Sequence, residues 1–232
     1  MLGGLSCLHA ISDARADNKY LEIPDQSVAA SSRASRYANM SNAEAYAELS
    51  RRGVAFRREL SPARGVRAPI RLTGPLNGVH IRSTLPESEW ATTIYNILDA
   101  RLGLALFDFT RILAQHDIVE LIHFTMYRSP PRRNVPQFRH PGGLAIDLGA
   151  VRKKNGEWLS IGPHWASHLG ARTCSAGARK QKARRARELV SIVCEAADQR
   201  IFHYTLSPHH DAPHADHLHL EIKPGVKWFL IN

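Results

Sequence analysis

The chain has 232 residues, of which 44% are hydrophobic and 22% charged, with a mean hydropathy of −0.29. That balance excludes a wholly disordered chain, and no apolar run reaches the roughly eighteen residues a membrane-spanning helix needs. Lys plus Arg exceed Asp plus Glu by 31 to 21, so the surface is drawn to anionic polymers such as nucleic acid, lipid head groups or acidic cell-wall material.

Residues 1–36 mix small and polar types (Ser27, Ala29, Ser31, Ala34) without a sustained period, and are expected to form a flexible leader. Within it, a weakly apolar stretch ends at Ala14-Arg15-Ala16 with the small-residue spacing of a signal-peptidase site, a partial export signal that lacks a basic n-region. An ordered domain is expected over 37–232. Ser41 and Glu44 have capping-box spacing, and Ala45, Tyr46 and Leu49 follow on one face before Gly53 closes the helix.

Val54–Arg58, Ile70–Leu72 and Val79–Ile81 read as strands, separated by Pro62, Gly65, Gly74-Pro75 and Asn77-Gly78. From Ile97 to Leu113 apolar residues recur with a helical period, with Arg101, Asp108 and Arg111 opposite, which predicts a central packing helix. Ile118–Met126 is rich in β-formers and leads into a loop holding Tyr127-Arg128-Ser129 and Pro130, Pro131 and Pro136. Asn155-Gly156 between two β-like runs, Leu144–Val151 and Glu157–Ile161, predicts a hairpin. A basic helix is expected over Ala178–Gln199, then strands at Ile201–Leu206, Leu218–Ile222 and Val226–Ile231. The regular strand-helix-strand alternation of a parallel sheet is missing, so the expected class is α+β, an antiparallel sheet packed against helices.

Three cysteines are too few for a disulfide-built scaffold, whereas six of the thirteen histidines crowd between His203 and His219. Two motifs stand out. In His140-Pro141-Gly142-Gly143-Leu144-Ala145-Ile146-Asp147 a loop histidine precedes a strand on which Asp147 alternates with apolar residues. In His214-Ala215-Asp216-His217-Leu218-His219-Leu220-Glu221, His217, His219 and Glu221 share one strand face. One histidine and one aspartate from the first motif with a histidine from the second make a three-ligand set, which leaves a fourth tetrahedral position for water as catalytic zinc requires.

His140, Gly143, Ala145 and Asp147 followed by His217 and His219 resemble the zinc-peptidase group of lysostaphin-type enzymes, D-Ala-D-Ala metallopeptidases and Sonic hedgehog. Within that group the chain is similar to the bacterial extensin-like proteins, through Ala45–Phe56, Pro69–Val79 and Cys194–Ile222 as well as the two motifs. The resemblance implies a hedgehog/D-Ala-D-Ala-peptidase-like fold and a Zn²⁺ bound by His140, Asp147 and His219, with His217 beside the metal. It makes Arg128 a candidate for holding a substrate carboxylate or carbonyl oxygen. For the general base two options stand, Asp216, three positions before the last ligand, or the His214/His217 pair. Asp216 is shorter than the Glu of many relatives, and Phe138 replaces the Ser often found two residues before the first ligand. Cys174 and Cys194 flank the basic segment and match cysteines of the family, which implies a disulfide and an oxidising compartment, periplasmic or secreted.

The remaining polar features have plainer expectations. His209 and His210 are expected as surface residues of a Ser-Pro loop, near enough to the site to leave substrate contact open, His164 and His168 as surface or packing residues at helical spacing, and Glu221 as support for the fold or for a histidine tautomer. The run Arg172, Arg179, Lys180, Lys182, Arg184, Arg185 and Arg187 reads as a solvated helix face, and it lacks the aromatic companions of a specific nucleic-acid site. The expected function is a zinc-dependent hydrolase cutting an amide in peptidoglycan peptides or a related anionic cell-envelope polymer. The alternative is a non-catalytic, metal-stabilised envelope-binding module.

Overall fold

The computed structural model describes residues 18–60, 63–131 and 138–232. The expected export signal ending at Ala16, together with Pro62 and Pro136, lies outside the described residues. The first elements are strand β1 (Leu21–Glu22) and three helices, α1 (Gln26–Ser31), α2 (Arg33–Ala38) and α3 (Asn42–Arg51). Residues 18–36, expected as part of a flexible leader, are ordered instead. The two six-residue helices are too short to show a period, and packing holds them. Ala29, Ala34 and Tyr37 are buried, and Ser32 caps α2 through the Ser35 amide. The capping box at Ser41 and Glu44 forms as expected, Ser41 Oγ accepting from the Glu44 amide at 3.3 Å and Glu44 Oε2 from the Ser41 amide at 2.8 Å.

A small antiparallel sheet follows, β2 (Phe56–Arg58), β3 (Pro69–Leu72) and, after β4 (His80–Ser83), β5 (Leu98–Asp99), in the order β2-β3-β5. Helix α4 (Ala100–Gln115) is buried on nearly every side, so Arg101 and Asp108 are not on a solvated face. Each is matched. The Arg101 guanidinium lies bidentate on Asp99 at 2.7 Å for both contacts, and Asp108 accepts from the Tyr37 hydroxyl at 2.5 Å and pairs with Arg52 and Arg33. Leaving either member of such a pair buried alone would cost several kcal/mol.

The remaining elements are β6 (Ile118–Thr125), β7 (Ala145–Lys153), β8 (Trp158–Ser160), α5 (Ile161–His164), α6 (Arg184–Asp198), β9 (Tyr204–Leu206), β10 (Leu218–Glu221) and β11 (Phe229–Ile231). They build an eight-stranded sheet in the order β1-β11-β9-β10-β7-β6-β4, with β8 also on β7. The sheet is mixed rather than purely antiparallel, because β4 pairs with β6 and β9 with β11 in parallel. The chain crosses between β4 and β6 through the small sheet and α4. This helix packs its apolar residues into a core shared with the sheet, Phe109 meeting Phe202 edge-on at 5.6 Å between centroids.

The basic helix begins at Arg184, six residues later than its composition suggests. Its first cations are not free, since Arg184 and Arg185 both pair with Glu157 and Arg184 also pairs with Glu188. Ahead of it, Cys174 is bonded to Cys194 of α6, with Cα atoms 5.5 Å apart and a sequence separation of 20. The bond closes the irregular basic segment onto the helix. Replacing both cysteines by serine is expected to lower stability by about 3 kcal/mol on the chain-entropy account of such a loop. An unchanged urea midpoint would show that the segment is held as firmly without it.

Candidate metal centre

Three loops and strands deliver the polar groups. His140 sits in a tight turn over residues 138–143, in which Gly143 has φ +64° and its carbonyl accepts from the Asp99 amide at 2.9 Å. A Cβ on Gly143 would stand 2.8 Å from that amide nitrogen, so glycine is required twice over, by conformation and by contact. The same Asp99 caps α4 and holds Arg101, which ties the His140 turn to the most buried helix of the fold.

Asp147 and His219 are directly opposed residues on the antiparallel pair β7 and β10, and Leu218 and Leu220 turn to the other face against Leu148 and Ile146. Cross-strand side chains of opposed residues stand close enough to share a ligand. His140 Nε2 and His219 Nδ1 each lie 3.0 Å from Asp147 Oδ1, and all three side chains are more than nine-tenths buried. The other ring nitrogen of His219 faces Glu221 Oε2 at 3.2 Å. Arg128 closes the open side, its Nη2 on Asp147 Oδ2 at 2.5 Å, while 58% of its side chain stays exposed.

Burial opposes the charge on Asp147, but the hydrogen bonds from His140 and His219 outweigh it and hold the carboxyl well below its usual range. His140 is pushed down by burial. His219, equally buried, is raised by its two carboxylate partners, Asp147 and Glu221.

These groups line a cavity of 610 Å³, into which His217 and His214 also project. His217 Nε2 lies 3.6 Å from Asp147 Oδ1 and its Nδ1 lies 2.8 Å from Asp216 Oδ1. Asp216 stands behind that ring, two-thirds exposed, with its Cβ turned toward Gly162. The structure therefore brings together His140, Asp147, His219, His217, His214 and Arg128, and leaves Asp216 outside, touching the cavity only through His217.

Other histidines depart from expectation. His209 is fully buried rather than a surface residue; its Nδ1 accepts from the His168 amide at 3.0 Å and its ring meets Trp165 edge-on. His210 lines the cavity with Asp211 and Tyr204, none of which the motifs indicated. His168 lies beyond the single turn of α5, and His164 is held by the Ser160 amide and Arg185. His123 is also fully buried behind the site, with neither ring nitrogen hydrogen-bonded among the described residues; only its place in a β-rich run was legible.

Three buried rings, those of His123, His203 and His209, make stability acid-sensitive. Burial holds His123 down at about 3, and His203 and His209 at about 4, against 6.5 for a free ring. Between those limits the unfolded chain binds protons that the folded chain refuses. The stabilisation is present above pH 6.5 and lost as pH falls toward 4, at up to about 1.4 kcal/mol per pH unit per ring. His219 acts in the opposite sense, its raised value favouring the fold at low pH. Denaturant midpoints of the metal-free protein should drop steadily from pH 7 to 4.5, and a flat profile would mean that the three rings protonate within the fold.

A profile of the family described as extensin-like protein C-terminus matches residues 45–229. The matched span runs from within α3 to the first residue of β11 and contains every side chain lining the cavity. No curated protein and no solved structure matches the chain.

Proposed function

The chain belongs to the extensin-like protein C-terminus family, and from that membership and this cavity we propose that it is a zinc-dependent hydrolase of the metallopeptidase type. Its substrate is an amide in peptidoglycan peptides or a related cell-envelope polymer. The observation that carries the proposal is the convergence of His140 Nε2 and His219 Nδ1 on one oxygen of Asp147. The motif resemblance to lysostaphin-type enzymes, D-Ala-D-Ala metallopeptidases and hedgehog supports it.

The donor set fits zinc. His219 offers a nitrogen to each of two carboxylates, yet a neutral imidazole has one N–H. With Nδ1 given to a metal, the remaining N–H serves Glu221, the carboxylate–histidine–metal arrangement that fixes ring orientation. His140, Asp147 and His219 would hold the ion, with ligand atoms all within 4.8 Å of one another. When bound, zinc supplies Lewis acidity to a carbonyl oxygen and to water at neutral pH.

The protein's own groups do the rest. Asp216 accepts the Nδ1–H of His217, which leaves the Nε2 lone pair facing the cavity, where it takes a proton from the attacking water and returns it to the leaving amine. Arg128 spends one of its five N–H donors on Asp147, and the others, without a side-chain partner among the described residues, would be offered to a substrate carboxylate or a developing oxyanion. The net charge of +10 favours encounter with an anionic wall polymer, and the disulfide suits a periplasmic or secreted protein.

The deciding experiment incubates the zinc-loaded protein with purified peptidoglycan and identifies released fragments by mass spectrometry. Soluble peptides with a new amine terminus are expected. Wall binding with no fragment released at any pH would identify the non-catalytic binding module instead.

A further inference from the structure

On the wall of the same cavity a second group of donors stands apart from the first. His210, Asp211 and His214 each offer an atom, and these atoms all lie within 4.8 Å of one another. His214 Nδ1 is 2.5 Å from Asp211 Oδ1, and His210 Nε2 is 3.7 Å from Asp211 Oδ2. The backbone builds this group. Asp211 caps the single 3₁₀ turn Ala212–His214, its Oδ1 accepting from the His214 amide at 3.1 Å, and Pro213 stiffens that turn.

The orientation of His210 comes from an independent source. Asn232 is almost wholly buried, and its carboxamide reaches His210 Nδ1 at 3.1 Å, while its Oδ1 has no hydrogen-bond partner among the described residues. The two ends of a carboxamide have nearly the same outline. Turned over, Asn232 presents Oδ1 to an Nδ1–H of His210, and the His210 lone pair then lies at Nε2, toward Asp211 and His214. This is the tautomer a metal ligand needs, supplied by the kind of outer hydrogen bond that metal-binding histidines use.

We infer that His210, Asp211 and His214 form a second divalent-cation site, so that the cavity takes two ions. Two imidazoles and one carboxylate suit Zn²⁺ among the available divalent ions. The His214 ring lies 5.9 Å from His219 and 5.1 Å from His217. An ion there would add a second positive centre for an anionic or carbonyl group of whatever enters the cavity. The inference does not depend on hydrolysis.

Zinc alone, titrated calorimetrically into the metal-free full chain with the bound content checked by elemental analysis, tests it. Two ions per chain are expected for the wild type. One is expected for Asp211→Asn, which keeps the oxygen that caps the turn, and one for His210→Ala; thermal unfolding of both metal-free variants confirms the fold. Asp147→Asn should also bind one, at the second site. A wild type that saturates at one ion, kept by Asp211→Asn and lost by Asp147→Asn, overturns the second site. Two ions retained in both Asp211→Asn and His210→Ala would overturn it equally. A single ion lost by Asp211→Asn and kept by Asp147→Asn would uphold the second site and sink the assignment of the first.

Discussion

His217→Ala should cut amide hydrolysis by about 10²- to 10⁴-fold with the zinc at His140, Asp147 and His219 retained, the usual share of a general acid–base group. His217 is the ring whose Nε2 faces Asp147 across the cavity, and its Nδ1 is already engaged by Asp216. Asp216 by itself is badly placed to take a proton, being two-thirds exposed and separated from the cavity by the imidazole. On the proposed mechanism it is a positioning residue, and Asp216→Asn would act by releasing the His217 tautomer. The discriminating measurement is the double variant. If the two residues work as one unit, His217→Ala with Asp216→Asn is no slower than His217→Ala alone, because groups that act together are strongly non-additive. A further loss in the double variant would give Asp216 a role of its own. Full activity in His217→Ala with zinc still bound would pass the proton to His214, whose ring is 5.1 Å away.

Much of this site was legible because it obeys strand periodicity. Asp147 and His219 lie on strands whose apolar neighbours fix which face each shows, and opposed positions on an antiparallel pair then meet without further information. The Gly142-Gly143 turn, the capping box and the alternation of Leu218 and Leu220 are local signals of the same kind. What the sequence did not disclose is set by distant partners. His209 and His210 sit in a polar loop that composition assigns to the surface, yet Trp165 covers one and Asn232 orients the other. Arg101 and Asp108 look like a solvated stripe until Asp99, Tyr37, Arg52 and Arg33 are brought to them by other elements. The helices over 26–38 carry no period because each is under two turns long and is stabilised by what it covers. The sequence left Asp216 and the His214/His217 pair both open as the base for a similar reason, since the motif gives positions along the chain and says nothing of which neighbouring side chain reaches inward; His214 and His217 line the cavity, and Asp216 lies behind His217.

Asp147→Asn should abolish zinc binding at the first site and lower hydrolysis below detection, with only a modest cost to the metal-free fold. Asn fills the same volume, so the pairing of β7 with β10 and the apolar face formed by Leu148 and Ile146 on the other side of the strand are left in place. What is lost is the charge that His140, His219 and Arg128 share. The hydrogen bonds that hold the Asp147 carboxyl far below its usual range are the reason its ionised form stabilises the native state, so neutralising it costs an estimated 1–3 kcal/mol. The metal effect is larger. An ion present at a hundred times its dissociation constant stabilises the wild type by about 2.7 kcal/mol per site, and the variant forfeits that increment at the first site. Thermal unfolding with and without zinc reads both parts, the metal-free shift giving the electrostatic loss and the zinc-dependent rise giving the linkage. Protonation of His219 competes with the ion, so the zinc-dependent rise in the wild type should shrink as pH falls through the raised range of that ring. An undiminished rise in Asp147→Asn would mean that zinc does not use this carboxylate, and the assignment of His140, Asp147 and His219 as one ligand set would fall with it.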